Sequence, residues 1–192
     1  MERYALGMLD RVIHRVLKAY REFAFHLVYH ELLQFCTVAL SAFYLDVLKD
    51  RLYCSAAASP ERRAAQTVLY RLADALVRLM APILPFTAEE VWSYLPDREA
   101  PSVHMARFPD ASSRGDEALA ERWERLRGVR EAVNKALEEA RQRGEIGKSL
   151  EAEVTLRPST VEEAEFLQRY AGVLPELFIV SSVRLEILDT QA

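Results

Sequence analysis

The chain has 192 residues, 51% hydrophobic and 28% charged, with a formal net charge of −4; a chain this long buries about 70% of its unfolded surface and needs no disulfide or metal to fold. Two cysteines and six glycines exclude a four-thiolate zinc site, C-x-x-C redox chemistry and the glycine-rich loops that cradle phosphates. Charge interrupts the N-terminus every few residues, so it is neither a signal peptide nor a membrane span, and so few cysteines point to the cytoplasm.

Leu6, Leu9, Val12, Ile13, Val16, Leu17 and Tyr20 fall at helical spacing and predict an amphipathic helix from about Glu2 to Arg21. Leu27, Val28, Leu32, Leu33 and Phe35 repeat the pattern over roughly 26–35. A third stripe of Phe43, Tyr44, Val47 and Leu48 opens near Ser41. Thr37 and Ser41 both serve as N-caps, so the second and third runs read equally well as one helix or two. Ser59-Pro60-Glu61 is a cap, a proline at N1 and an acid in the first turn. The helix it starts runs through Leu72 and Leu79 and stops before Pro82. Thr87 to Glu90 reads as a capping box opening a short helix that ends near Leu95.

Residues 96–115 carry three prolines and little periodicity, a loop long enough to be functional or to connect domains. Asp116 caps a long helix to about Arg143, with Leu119, Trp123, Leu126, Val129, Val133, Leu137 and Ala140 inward and Gly144 as its stop. Beyond Gly147 the period becomes two: Ala152, Val154 and Leu156 alternate with polar residues as a half-buried strand. Thr160 to Glu163 is a further capping box, opening a helix that ends at Gly172. Phe178 to Val180 and Val183 to Leu188 read as more strands. The expected architecture is mainly α: an antiparallel helical bundle over 1–143 and a small α+β appendage over 144–192. The bundle should fold alone around Leu9, Val16, Phe43, Leu72, Leu76, Leu79, Trp92, Val129 and Val133.

No catalytic constellation emerges. His26 and His30 are one helical turn apart but have no third ligand beside them, and Cys36 has no histidine on its helix face. The segment Gly144 to Ser149 lacks the length of a phosphate loop and precedes a strand, so it reads as a hinge or docking segment. Charge is informative once divided. Residues 1–72 hold ten Lys/Arg and seven Asp/Glu, and the rest hold fifteen and twenty-two, so a polyanion should prefer the first third. There Lys49, Arg51, Arg62, Arg63 and Arg71, with Tyr53, converge on one end of the bundle if the helices pack antiparallel. Cations with an aromatic ring can hold an RNA loop; on composition alone the cluster reads as a solvated helix end.

FYLDVLKDRLY (43–53), ALVRLMAPILPFTAEEVWSYLP (75–96), VREAVNKALEEAR (129–141) and EIGKSLEAEVTL (145–156) resemble the C-terminal part of bacterial isoleucyl-tRNA synthetases. The first two blocks occur more loosely across the class I synthetases for valine, leucine and isoleucine. The Lys-Asp-Arg and Ile-Gly-Lys-Ser-Leu-Glu-Ala runs are similar to the isoleucine enzymes in particular. The resemblance runs from about Tyr4 to Leu188 and implies an anticodon-binding bundle followed by a junction domain that continues into a zinc-binding segment.

The family's H-I-G-H and K-M-S-K-S signatures are not in these residues. What the resemblance implies is therefore an excised tRNA-binding part, itself without catalytic residues, cofactor or metal. The parent ligase would use ATP, magnesium and a structural zinc. The expected partners are isoleucine tRNA and the parent's catalytic domain, with no membrane, and the chain is expected to be monomeric. The resemblance also turns Lys49, Arg51, Arg62, Arg63 and Arg71 into the expected tRNA contacts. The alternatives are the equivalent domain of a valine or leucine enzyme, or a helical protein-interaction module.

Overall fold

Helix α1 spans Glu2–Arg21 and buries Tyr4, Ala5, Met8, Leu9, Val12, Ile13, Val16 and Ala19 along one stripe, the face its apolar spacing specifies. The computed structural model describes residues 1–111 and 116–186. After a short turn, α2 (Phe25–Gln34) runs without a break into a wide-turn π segment, Phe35–Tyr44, and on into α3, Leu45–Val47. Thr37 and Ser41 therefore cap nothing. The Thr37 hydroxyl instead donates to the Leu33 carbonyl at 2.8 Å, competing for a helix acceptor. A five-residue α4, Lys49–Tyr53, completes this arm.

Helix α5, Pro60–Met80, starts as its sequence specifies: the Ser59 side chain accepts from the Arg62 amide, with proline at the first position. Its buried stripe of Ala65, Val68, Leu72, Ala75, Leu76, Val77 and Leu79 packs with α1. The Tyr20 hydroxyl donates to the Leu79 carbonyl at 2.7 Å, joining the C-terminal turns of the two helices.

Helix α6 spans Pro85–Tyr94 and begins at Pro85, not at Thr87. Pro85 fixes φ for the first turn, which leaves Thr87 inside the helix and no capping box. The Glu89 carboxylate accepts from the Ser102 hydroxyl at 2.8 Å and the Val103 amide at 3.0 Å, and so fastens the loop that follows. That loop makes a 3-10 turn at Val103–Met105, and Val103 joins Val77, Ala81, Ala88 and Trp92 in a separate apolar cluster. Arg78 ties the loop down from α5, reaching Asp74 at 2.8 Å, Glu99 at 2.6 Å and the Arg107 carbonyl at 3.3 Å.

Two compact units divide at Glu121/Arg122, within α7, Glu117–Gln142. The division at 143/144 drawn from sequence marks the change from helical to strand grammar, which is a different criterion. Asp116 caps α7, accepting from the Leu119 amide at 3.0 Å. In the second unit α7 buries Trp123, Leu126, Arg130, Val133 and Leu137, whereas Val129 is half-buried and not a core residue. Buried Arg130 donates from Nε to the Leu177 carbonyl at 2.9 Å.

Strand β1, Glu153–Leu156, pairs in parallel with β2, Ser182–Leu185, with Val154 opposite Val183. Helix α8, Val161–Arg169, begins at the expected Thr160 cap; Thr160 accepts from the Glu163 amide, and the Glu163 carboxylate accepts from the Ser159 amide. The strand expected at 178–180 does not form. Leu174–Phe178 is instead a short helix, α9, that buries Leu174, Leu177 and Phe178, and Ile179 reverses the chain with φ of 57°. Apolar runs this short are ambiguous between helix and strand, and Pro175 in the first turn decides for helix. Of the strand expected over 183–188, residues up to Leu185 are present; Leu188 lies outside the described residues, as does the 112–115 part of the long loop.

Candidate nucleic-acid interface

The antiparallel run of α2–α4 against α5 brings Lys49, Arg51 and Arg62 to one end of the first unit, where α1 also begins. Arg51 Nη1 lies 2.7 Å from Glu2 Oε1, and both side chains are about four-fifths buried (19% and 21% exposed). That pair joins α4 to the first turn of α1. Tyr44 is fully buried beside it, and burial holds its phenol above its ordinary range, with the Glu2 charge acting the same way and Arg51 opposing. Arg62 turns back to donate to the Ser55 carbonyl at 2.9 Å, closing the 54–59 turn. Lys49 Nζ sits 2.8 Å from Asp46.

Three of the five expected contacts thus have intramolecular partners. Arg63 and Arg71 differ. Both are exposed on α5, two helical turns apart with Thr67 between them, and neither has an ion-pair partner among the described residues. Eight residues of helix separate the two positions by about 12 Å along the axis, a spacing suited to phosphates about two steps apart on a strand. Exposed Tyr53 lies at the end of α4.

The Lys49–Asp46 pair was legible as an i, i+3 contact. The Arg51–Glu2 pair, spanning 49 positions, was not. Sequence reasoning also passed over the exposed aromatic residues Phe23, Phe25 and Phe108. The signal for the first two was a Phe-Ala-Phe run at a helix junction, off the buried stripe on either side; Phe108 lies in the long loop.

Neither cysteine is an activated nucleophile. Burial raises the Cys36 thiol, and at exposed Cys54 a hydrogen bond to Asp50 does so. Among the described residues, no three His, Cys, Asp or Glu side chains gather as a metal site, and no helix is long and apolar enough to cross a membrane. In the second unit an open groove of about 1080 Å³ runs between α7, β1 and α8, floored by Gly128, Ala132, Val133 and Ala136. Beside it, the Lys148 segment holds an anion of its own. The Glu151 carboxylate accepts from the Gly147 amide at 2.9 Å, and the backbone bonds from Gly147 and Lys148 lower its pKa.

A helical bundle with exposed arginines along one helix offers a surface suited to a polyanion, and residues 2–156 match the family described as the anticodon-binding domain of tRNA ligases. The chain belongs to that family. It is 50% identical over 188 residues to the isoleucine–tRNA ligase of Geobacter sulfurreducens and to that of Desulforudis audaxviator, and 50% identical over 190 residues to that of Symbiobacterium thermophilum. Each alignment covers 96% of this chain and 20% of the relative. The chain therefore spans about a fifth of the length of the curated relatives it matches.

Proposed function

We propose that this chain is the tRNA-binding part of an isoleucine–tRNA ligase and holds the anticodon stem-loop while a catalytic domain elsewhere in the parent charges the acceptor end. The observation that carries the reading is the match to an anticodon-binding family over 2–156, joined to about 50% identity with isoleucine–tRNA ligases. Exposed Arg63 and Arg71 take phosphates and set the register of the RNA; base contacts in the loop choose among tRNAs. Lys49, Arg51 and Arg62 shape that surface through Asp46, Glu2 and Ser55. The part performs no reaction itself, and ATP, magnesium and a structural zinc belong to the parent, in the cytoplasm.

Titration of the chain with isoleucine, valine and leucine tRNA transcripts tests this. Isoleucine tRNA should bind tightest, with affinity falling as salt rises. Equal affinity for all three, or none for any, contradicts the reading.

A further inference from the structure

Helix α1 ends in a pair of crossed backbone bonds: the Phe23 amide donates to the Tyr20 carbonyl at 3.1 Å and the Ala24 amide to the Ala19 carbonyl at 2.9 Å. This motif demands a left-handed residue at its crossing, and Phe23 adopts φ of 55° there. Helix α7 closes with the same two bonds, Gly144 to Arg141 and Glu145 to Ala140, both at 3.0 Å, and puts glycine at the crossing with φ of 74°. Glycine takes that conformation without strain; phenylalanine does not. Nor does the Phe23 ring recover the cost by burial, since it is 77% exposed.

Phe23 begins a row of four rings. Its centroid lies 6.2 Å from that of Phe25 at 79°, Phe25 lies 6.1 Å from Tyr20 at 68°, and Tyr20 lies 5.5 Å from Phe108 at 31°. Tyr20 is anchored through its hydroxyl to Leu79, while Phe25 and Phe108 remain 49% and 44% exposed. Cations flank the row. Lys18 and Arg21 stand exposed in the last turn of α1, and exposed Arg107 precedes Phe108. The Arg21 and Arg107 guanidiniums have no ion-pair partner among the described residues; the nearby acids include Glu22, 3.9 Å from Lys18, Glu99, which accepts from the Arg107 backbone amide at 3.2 Å, and Asp110.

We infer that Phe23, Phe25 and Phe108, set around Tyr20, form a stacking platform for unpaired bases of an RNA loop, with Lys18, Arg21 and Arg107 receiving its phosphates. This rests on the tRNA-binding reading above and adds to it the place where bases are held. Exposed aromatic residues beside solvent-exposed cations fit single-stranded nucleic acid, because every base offers a π face and every nucleotide a phosphate. The platform lies at the opposite end of α1 from the Arg51–Glu2 pair, about 30 Å away along a 20-residue helix. One end of the unit then meets the stem and the other the loop.

The test uses this chain and an isoleucine tRNA transcript carrying 2-aminopurine in the anticodon loop. Phe23→Gly should raise the denaturation midpoint by relieving the left-handed position, yet weaken tRNA binding about fivefold or more and remove the change in 2-aminopurine fluorescence. Phe23→Tyr should retain binding, and Phe25→Ala should weaken it without the gain in stability. A hairpin of the same stem closed by a structured tetraloop should bind wild type and Phe23→Gly alike. If wild type binds the tRNA and both Phe23→Gly and Phe25→Ala bind it equally well, the platform is overturned and the tRNA-binding reading stands. If wild type binds no tRNA, both fall. Unchanged tRNA binding with lost association to a separately supplied catalytic domain would overturn the inference in favour of a protein-docking patch.

Discussion

The indole Nε1 of Trp92 donates to the carbonyl of Ala100 at 3.0 Å. The largest fully buried side chain of the first unit is thereby held by a segment that has no regular structure. The Arg78 guanidinium carbon lies 5.2 Å from the centroid of the same ring, so loop, helix α5 and helix α6 meet at one residue.

Trp92→Ala should destabilise the chain by about 3–5 kcal/mol, through lost burial and an unpaired Ala100 carbonyl. Trp92→Phe keeps most of the apolar packing and loses the hydrogen bond, so about 1–2 kcal/mol is expected. Urea melts of the two variants separate packing from the bond. A change below about 1 kcal/mol for the alanine variant would contradict the role given to the ring.

Charge reversal at Arg63 and Arg71 should weaken tRNA binding and flatten its dependence on salt, by about 0.7–0.9 in the log–log slope for each phosphate that is no longer neutralised. The circular dichroism spectrum should not change. Arg51→Ala should instead lower stability, by about 1 kcal/mol, because part-buried Glu2 loses the Arg51 contact and keeps the Met1 ammonium 3.5 Å away. Arg141 and Arg143 serve as controls: they pair with Glu138 and Glu145 on the second unit, and their reversal should leave tRNA affinity in place.

Alkaline pH should unfold the first unit. Burial pushes the Tyr20 hydroxyl from 10 up to about 12, and holds Tyr44 above its ordinary range as well. Both phenols are raised in the folded state, so the neutral forms favour folding. Their contribution is complete below about pH 10 and is lost as pH rises through the folded values. The urea midpoint should fall from about pH 10 upward, and Tyr44→Phe, which removes one ionisable group, should make that fall shallower. An identical profile in the variant would contradict the assignment.

The Lys148 segment should not bind ATP, because Glu151 already occupies its Gly147 amide. Fluorescence titration with a labelled ATP analogue checks this, and saturable binding lost on Lys148→Ala would reverse the conclusion. The lowered pKa of Glu151 has its own sign. The group favours the folded segment above its ordinary pKa and ceases to do so as pH falls through the folded value. Glu151→Gln should remove that acid sensitivity from amide exchange at Gly147.

Helix α1, the Ser59 start of α5, the Asp116 start of α7 and the Thr160 cap were legible in the sequence because each rests on residues within a few positions of one another. Four features escaped, through competition between signals. The start of α6 and the helix at Leu174–Phe178 were decided by prolines that outweighed another local signal, the run across Thr37 read equally well as one helix or two, and the Arg51–Glu2 pair is tertiary. Thr87 offered a good cap, yet Pro85 stood two residues earlier. Arg51 looked like a free cation until folding brought Glu2 beside it. The candidate site was legible to the extent that its cations are on α5; its aromatic residues carried no periodic signal, because they stand where the helical period is broken.

Strands β1 and β2 run parallel, with Glu153 opposite Ser182. A parallel pair cannot close through a hairpin, and here 29 positions of chain separate the partners. During synthesis β1 must therefore leave the ribosome and wait, with both edges open, until α8 and α9 have followed it. The first unit waits in the same way: α1 packs on α5, and its bonds between Glu2 and Arg51 and between Tyr20 and Leu79 span 49 and 59 positions. Folding can thus proceed unit by unit: all of residues 1–121 has been translated before β2 is made.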